Sequence, residues 1–314
     1  MAYRLGRVAG KEVQITLDDQ DRASGLWQYV LKPAGHAFAG VSAAVEGAMT
    51  ALTTVDAPGA RHVPGPTANP TPEQKAILER IAGIDWYHTI DLGHDICTPG
   101  RFNHIPLLDQ YRLPESLAGK RCLDVATMNG FWAFEMERRG AKEVVALDVA
   151  TLGDLDMPPR QRARLNQEAL SEPRGSGFYA AKEILGSRVE RVALNVYDLS
   201  PEVLGSFDFV MVGDLLLHLM NPLKAAANVC SVTSSSGMAH FVECYSPYLP
   251  RMAMTYQSAD QGTWWGFSLS ALKRILWDAG FDNLEMTFKF RAPTQPGEKP
   301  WMWRAVFDCR KDRQ

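Results

Sequence analysis

Residues 120–310 alternate short apolar runs with stretches of helical periodicity, and this alternation constrains the fold more than any other feature of the chain. Glycines end most of the helical stretches. Strands that are joined through helices form parallel sheets covered by helices on both faces. The pattern predicts an α/β fold, with strands at 121–127, 143–149, 189–199, 207–212 and 238–245 and helices at 130–139, 178–185, 222–232 and 268–279.

The ends of this region complete the predicted sheet. Strand-like runs at 283–290 and 303–309 predict an antiparallel pair at one end of it. Two longer excursions interrupt the alternation. The first is polar and includes a predicted helix within 154–173, and the second, at 246–266, contains two adjacent tryptophans.

The sequence before residue 115 has a different character, with few strand-like runs. Apolar residues recur at helical spacing over 22–54, and a loop rich in proline and glycine follows at 56–70. The helix at 71–83 is well marked, because Thr71 and Gln74 form a capping box, Pro72 suits the first turn and Gly83 ends it. We predict two parts, an N-terminal helical cover segment at 1–115 and a sheet domain at 116–314.

The composition and charge of the chain restrict the kinds of binding partner and the cellular location that we predict. The chain has 33 Lys plus Arg and 36 Asp plus Glu, so its net charge of −3 does not favour a nucleic-acid partner. No apolar run is long enough for a membrane span, and no signal-peptide core begins the chain. The five cysteines are scattered and without metal-ligand spacing, so we predict reduced, buried thiols, no metal site and a cytoplasmic location. The sequence makes no prediction for the oligomeric state.

Polar residues follow the predicted strands where ligands bind to such sheets, outside the carboxyl ends of the strands. Asp124 lies in the first strand, before the glycine turn at Gly130. Asp148 ends the second strand 18 residues after that turn, where an acidic side chain can accept hydrogen bonds from a ribose diol. Asp198 follows the third strand, and Asp214 follows the fourth.

These segments resemble the motifs of class I S-adenosylmethionine (SAM) methyltransferases. LDVATMNGFWAFEMERRGAKEVVALDV resembles the first two motifs, and NVYDL and FDFVMVGDLLLHLMNP match the third and fourth in position. WYHTIDLG, TPGRF and WRAVFDCR are similar to a subgroup related to the tRNA wobble-uridine carboxymethyltransferase family. The resemblance spans about residues 80–310 and implies a Rossmann-like sheet of seven strands in the order 3-2-1-4-5-7-6.

The resemblance also implies SAM as the cofactor and a set of residues that bind it. Asp148 would hold the ribose, Asp198 would meet the adenine amine, and the loop 126–130 would pass under the methionine part. The full cofactor-binding set is Asp124, Ala126, Thr127, Met128, Asn129, Gly130, Asp148, Val149, Val196, Tyr197, Asp198, Gly213 and Asp214.

The chain departs from the family pattern at this loop. Ala126 and Met128 stand where the family usually has glycines, and they add bulk beside the amino-acid part of SAM. Leu217 stands where the tRNA relatives carry a tyrosine, which argues against carboxymethyl transfer. Arg304 falls where those relatives carry an arginine for the carboxylate of carboxylated SAM.

Candidates for the reaction itself are aromatic and titratable side chains. We predict catalytic roles for Tyr87, His88, Tyr179 and His218, with the histidines as candidate general bases. Aromatic faces stabilise a sulfonium cation, so Tyr87, Tyr179, Tyr245 and Trp264 are candidates for a cage around it. The predicted substrate-binding residues are Trp86, Arg101, Glu243, Tyr245, Trp264 and Arg304. For most of these residues, the competing interpretation is an ordinary core aromatic, a core histidine or a solvated strand end.

Four functions fit these features. The first is SAM-dependent methyl transfer to a small molecule, which the large aromatic cover suggests is a specialised metabolite. The second is cyclisation of SAM to azetidine-2-carboxylate and methylthioadenosine, favoured by the altered loop; Asn129, Tyr179 and Asp214 would then hold the amine. The third is tRNA modification, and the fourth is a SAM-binding subunit without activity.

Overall fold

A computed structural model describes residues 2–8, 11–16, 69–257, 262–293 and 301–312, and it divides the chain into the compact units Met1–Pro58 and Gly59–Gln314. In the first unit, strands β1 (Ala2–Val8) and β2 (Lys11–Thr16) pair in antiparallel fashion. These strands differ from the predicted helical cover. The helical periodicity at 22–54 and the loop up to residue 68 lie outside the described residues.

The second unit is built on a seven-stranded sheet, and this confirms the predicted Rossmann-like α/β fold. The order is β10-β11-β7-β6-β3-β4-β5, the order implied by the family resemblance. Strands β3 to β7 are parallel, and β11 runs antiparallel to β7 and β10. The strands are β3 Arg121–Val125, β4 Glu143–Asp148, β5 Glu190–Ala193, β6 Phe207–Gly213, β7 Thr233–Tyr245, β10 Asn283–Pro293 and β11 Trp301–Arg310.

Local hydrogen bonds explain where several helices begin. In α1 the Thr71 hydroxyl accepts from Gln74 N and the Gln74 side chain accepts from Thr71 N, so the predicted capping box is confirmed. The Ser268 hydroxyl caps α8 in the same position. The helices are α1 Pro72–Ile81, α2 Phe131–Arg138, α3 Pro159–Arg162, α4 Gln167–Leu170, α5 Ser176–Leu185, α6 Pro201–Leu204, α7 Pro222–Val232 and α8 Leu269–Asp278.

Two apolar layers cover the faces of the sheet. One is rich in aromatic rings from α2, α5 and the segment before the sheet, and the other is formed largely by α7 and α8. All five cysteines are free; four are buried and Cys97 is half-buried, as predicted. Among the residues that the structure describes, no helix is long and apolar enough to cross a membrane.

One strand is shorter than the sequence predicts, and both excursions contain regular structure; the helix predicted within 154–173 is present as two short helices. The third strand, predicted at 189–199, is only β5, because the Asn195 side chain accepts from Tyr197 N and turns the chain into a 3-10 turn at Val196–Asp198. The excursion at 154–173 contains two single-turn helices, α3 and α4. The excursion at 246–266 contributes to the hairpin of β8 (Met254–Tyr256) and β9 (Trp265–Phe267).

Candidate cofactor and acceptor site

The loop 126–130 connects β3 to α2 at the carboxyl edge of the sheet. Thr127 N donates to Leu147 O (2.9 Å), which ties the loop to β4. Ala126 and Met128 adopt left-handed backbone angles, with φ of 62° and 52°. The family's glycines would adopt these angles more readily. The loop therefore keeps the glycine-type backbone shape with side chains present.

Asp124 supports this loop from beneath. Its Oδ2 accepts from the Thr127 hydroxyl (2.6 Å) and from Ala133 N (3.1 Å). Burial raises the pKa of its carboxyl from 3.8 to about 7, against the lowering effect of these hydrogen bonds. Asp124 is thus placed to orient the loop and is only 1% exposed.

Asp148 lies at the end of β4, facing the same loop. Its Oδ2 accepts from Met128 N and its Oδ1 accepts from Val149 N, both at 2.8 Å. Each carboxylate oxygen has two lone pairs, so each can accept one further hydrogen bond. Asp148 can therefore hold the loop and a ribose diol together.

The next strand end carries the predicted adenine residues. Val196 is buried, whereas the side chain of Asp198 is exposed. The Tyr197 hydroxyl donates to Asp156 Oδ2 and accepts from Asn221 N (2.9 Å). The hydroxyl group of Tyr197 is therefore held in place, and its ring is free to form one side of the predicted adenine site.

The end of β6 holds a buried ion pair. Arg304 Nε donates to Asp214 Oδ2 (2.6 Å), and the Cys244 thiol donates to Asp214 Oδ1 (2.9 Å). Asp214 itself has a left-handed φ of 47°. Among the described residues, Arg304 Nη1 has no hydrogen-bond partner although it is buried. Nη1 is therefore a buried donor that no described residue satisfies.

Glu243, predicted to bind substrate, is fully buried. Its carboxylate accepts from Leu215 N and Leu216 N, each at 3.1 Å through Oε1. Burial, together with the nearby Asp214, raises the pKa of this carboxyl well above its usual value. These contacts hold the turn after β6 in place.

Residues 86–102, here called the aromatic segment, pack against α2 beside the loop. The sequence placed this segment in the helical cover, but Thr89 N donates to Phe102 O and Phe102 N donates to Tyr87 O, both at 2.8 Å, around an isolated β-bridge between His88 and Phe102. Further rings surround the segment, with centroid distances of 4.5 to 5.7 Å for the pairs Tyr87–Phe102, His88–Phe131, His104–Trp132 and Tyr111–Trp132.

The titratable groups of this cluster are held neutral. Burial, and secondarily Asp214, raises the pKa of Tyr87 to about 12. Burial lowers the pKa of His88 to about 3, and it lowers that of His104 well below the usual value. Neither Tyr87 nor His88 is tuned to take a proton at neutral pH.

The other predicted site residues are more dispersed. Trp86 is buried, and its indole donates to Ile81 O (3.1 Å), as in a core aromatic. Arg101 forms an exposed ion pair with Asp85, and Tyr179 is 53% exposed. His218 Nδ1 lies 2.6 Å from Gly262 O, so this nitrogen already has a partner.

Tyr245 and Trp264 are both buried, and each has ring neighbours outside the aromatic segment. The Trp264 indole donates to Asp156 O (3.2 Å). Trp264 is therefore part of the contact between the two excursions of the chain. Five residues at the site were not predicted, namely His104, Tyr111, Trp132, Asp156 and Cys244. Of these, only Trp132, inside the quoted first motif, carried a local signal.

Comparison with known proteins agrees with this geometry. Residues 104–286 match a protein family described as a methyltransferase domain, and this match covers more than half of the chain. The chain belongs to the methyltransferase-domain family. The predicted enzyme class, a SAM-dependent transferase, and the predicted cofactor are therefore confirmed. The predicted relation to the tRNA wobble-uridine carboxymethyltransferase subgroup is not confirmed.

Two solved structures of one protein domain share the fold at low sequence identity. The N-terminal domain of EvdMO1 with S-adenosylhomocysteine (SAH) bound is 15% identical, with 78% of this chain and 100% of that chain covered and a TM-score of 0.52. A second structure of that domain, in the presence of SAH and D-fucose, has the same identity and coverage and a TM-score of 0.51. YcgJ from Bacillus subtilis is 14% identical, covering 66% and 98%, with a TM-score of 0.47. No curated protein matches the chain.

The residues of this methyltransferase-domain protein fit SAM. Asp148 offers carboxylate oxygens to ribose hydroxyls, and Arg304 Nη1 is a buried donor without a partner among the described residues. The rings of the cluster are neutral, and aromatic faces attract a sulfonium. Bound SAM supplies a methyl group that is already activated for transfer.

Proposed function

We propose that the protein transfers a methyl group from SAM to a small molecule. The observation that carries the proposal is that the loop 126–130 and Asp148 lie beside a buried cluster of neutral aromatic rings. Such surroundings exclude water and align a nucleophile with the methyl group. The loop and Asp148 would hold the cofactor, and the acceptor would lie between Asp214 and the aromatic segment.

The acceptor we propose is a nucleophile that needs no proton removed by Tyr87 or His88. The pKa of Tyr87, at about 12, and that of His88, at about 3, leave neither group as a base near pH 7. Their proposed role is to enclose and stabilise the sulfonium. A carboxylate or another group already ionised at neutral pH fits this arrangement.

Several finer points remain proposals. A substrate from specialised metabolism rests on the size and aromatic character of the cover, and the cytoplasmic location rests on the sequence. The division into a cover at 1–115 and a SAM-binding domain at 116–314 is proposed as a functional one. The relation to the tRNA subgroup rests on sequence motifs, and the ion pair of Arg304 with Asp214 weakens it. The cyclase is not favoured by the family match.

The test is mass spectrometry after incubation of the purified protein with SAM and fractionated small molecules, including carboxylates. We expect SAH together with one product that is a methyl group heavier than its precursor. An Asp148→Asn variant in the same reactions controls for methylation by contaminants. Methylthioadenosine formed from SAM alone would replace the proposal with the cyclase, and a protein that does not bind SAH would overturn it.

A further inference from the structure

Asn129 joins the cofactor loop to the aromatic segment. Its side-chain Oδ1 accepts from Tyr87 N (2.6 Å) and from His88 N (3.2 Å). The side chain is only 7% exposed, so water does not replace these contacts. Two residues that enclose the acceptor space are thus held, through their backbone, by one residue of the loop.

The aromatic segment is itself rigid around this junction. The Thr98 hydroxyl donates to His88 O (2.7 Å) and accepts from Ile90 N (2.8 Å). Gly100 packs on the same turn so closely that a Cβ there would lie 2.0 Å from the carbonyl carbon of His88. A shift of the backbone at residues 87 and 88 therefore moves the surrounding segment with it.

Asn129 is equally fixed on the loop side. The preceding residue, Met128, donates its backbone N–H to Asp148, the carboxylate assigned to the ribose. On α5, Gly177 leaves room for the carboxamide, since a Cβ at Gly177 would lie 2.3 Å from Asn129 Nδ2. The carboxamide thus has one available position, between the loop and α5.

We propose that Asn129 is a positioning residue that couples occupancy of the cofactor loop to the placement of Tyr87 and His88. Cofactor binding fixes the position of the loop 126–130. The hydrogen bonds of Asn129 then fix the position of the aromatic segment, so the acceptor space forms after the cofactor is bound. The inference rests on the proposed use of the loop for SAM. Coupling of this kind is reciprocal, so an acceptor also tightens the cofactor.

The experiment measures hydrogen exchange of residues 86–102 in the full chain by mass spectrometry, with and without SAH. Each variant is measured at an SAH concentration that saturates it. In the wild-type protein we expect SAH to slow exchange at Tyr87 and His88 at least tenfold. Asn129→Ala should lose this protection while SAH stays bound, and Asn129→Asp, which keeps an acceptor oxygen, should restore it.

Asn166→Ala is the matched control, because the exposed Asn166 side chain caps α4, where it accepts from Ala169 N (2.8 Å). It should respond to SAH like the wild-type protein. A second variant, Thr98→Val, breaks the link inside the segment and leaves the loop intact. It should keep the SAH protection of His88 and lose that of Ile90.

Two results would overturn the inference. They are wild-type protein that binds SAH without protection of the segment, and an alanine variant that is protected as well as the wild type. If Asn129→Ala does not fold, the wild-type comparison with and without SAH decides. A wild-type protein that fails to bind SAH instead contradicts the proposed function, so the two failures are distinguishable.

Discussion

Asp124, one residue before the end of β3, and Asp148, at the end of β4, lie on neighbouring parallel strands, yet their carboxyl groups have different surroundings. Asp124 is enclosed by its own loop and has a pKa raised by burial to about 7. Asp148 accepts from two backbone amides and keeps lone pairs for a ligand. The first residue is therefore placed to stabilise the loop, and the second is the residue that we propose for cofactor binding.

The raised pKa of Asp124 makes stability depend on pH. The unfolded chain ionises this group near pH 3.8 and the folded protein near 7, so its contribution is complete below 3.8 and is lost as pH rises towards 7. Relative to Asp124→Asn, the wild-type protein should lose about 2 kcal/mol of unfolding free energy between pH 5 and 7. Urea denaturation at several pH values measures the unfolding free energy. Plots of this free energy against pH that run parallel for the two proteins would contradict the prediction.

Removing the charge of Asp148 should weaken cofactor binding. Asp148→Asn keeps a similar shape but would replace the charged hydrogen bonds that we propose to the ribose, and a hydrogen bond to a charged group contributes about 1.5–3 kcal/mol. We expect SAH to bind roughly 10- to 100-fold more weakly by calorimetry. Asp278→Asn, at an exposed position of α8, is the control and should bind like the wild type. Equal affinity of all three proteins would remove Asp148 from the ribose site.

For the helices and strands, short local sequence signals predicted more of the structure than any signal of contacts between separate segments. The capping box of α1, the glycine stops and the strand order were predictable, because short motifs and the family resemblance carry them. The shortening of β5 depended on one side chain, that of Asn195. The β-bridge between His88 and Phe102 joins two separate stretches of the segment, so no periodicity in the sequence predicts it. For the same reason Tyr111 and Cys244 were missed.

His240 joins three elements through its ring. Nδ1 contacts Asp308 Oδ1 on β11 (2.7 Å), and Nε2 contacts Tyr111 O at the end of a 3-10 turn (2.8 Å). His240→Asn cannot reach both partners and leaves buried groups unpaired, so we expect a loss of about 2 kcal/mol or more. The matched control is His94→Asn, at an exposed turn, which should stay within about 0.5 kcal/mol. Equal midpoints in thermal unfolding of the two variants would refute this role.

At the scale of the whole second unit, two excursions meet above the carboxyl edge of the sheet. Asp156 Oδ2, from the first excursion, accepts from the Tyr197 hydroxyl and from Met220 N (2.6 Å). Its backbone carbonyl accepts from the Trp264 indole of the second excursion. These contacts close the edge where the cofactor is proposed to bind.

Removing the side-chain contacts of Asp156 should speed cofactor release. Asp156→Ala removes the side-chain bonds to Tyr197 and Met220, so we expect SAH to dissociate at least about fivefold faster, which corresponds to about 1 kcal/mol. Stopped-flow displacement of SAH measures the rate. Asp109→Ala, at an exposed position, should leave it unchanged. If SAH dissociates at the same rate from all of these proteins, the contacts of Asp156 do not control cofactor release.

The buried cysteines have a practical consequence for the bench. Burial raises the pKa of all five thiols, so almost none is thiolate near pH 7.5, and thiolate is the reactive form. A thiol reagent added to the folded protein should therefore produce little colour. Coupling enzymes convert SAH to homocysteine, which carries a free thiol, so turnover can be followed continuously in a cuvette with little background from the enzyme itself. Acceptor libraries can then be screened by absorbance before any product is known.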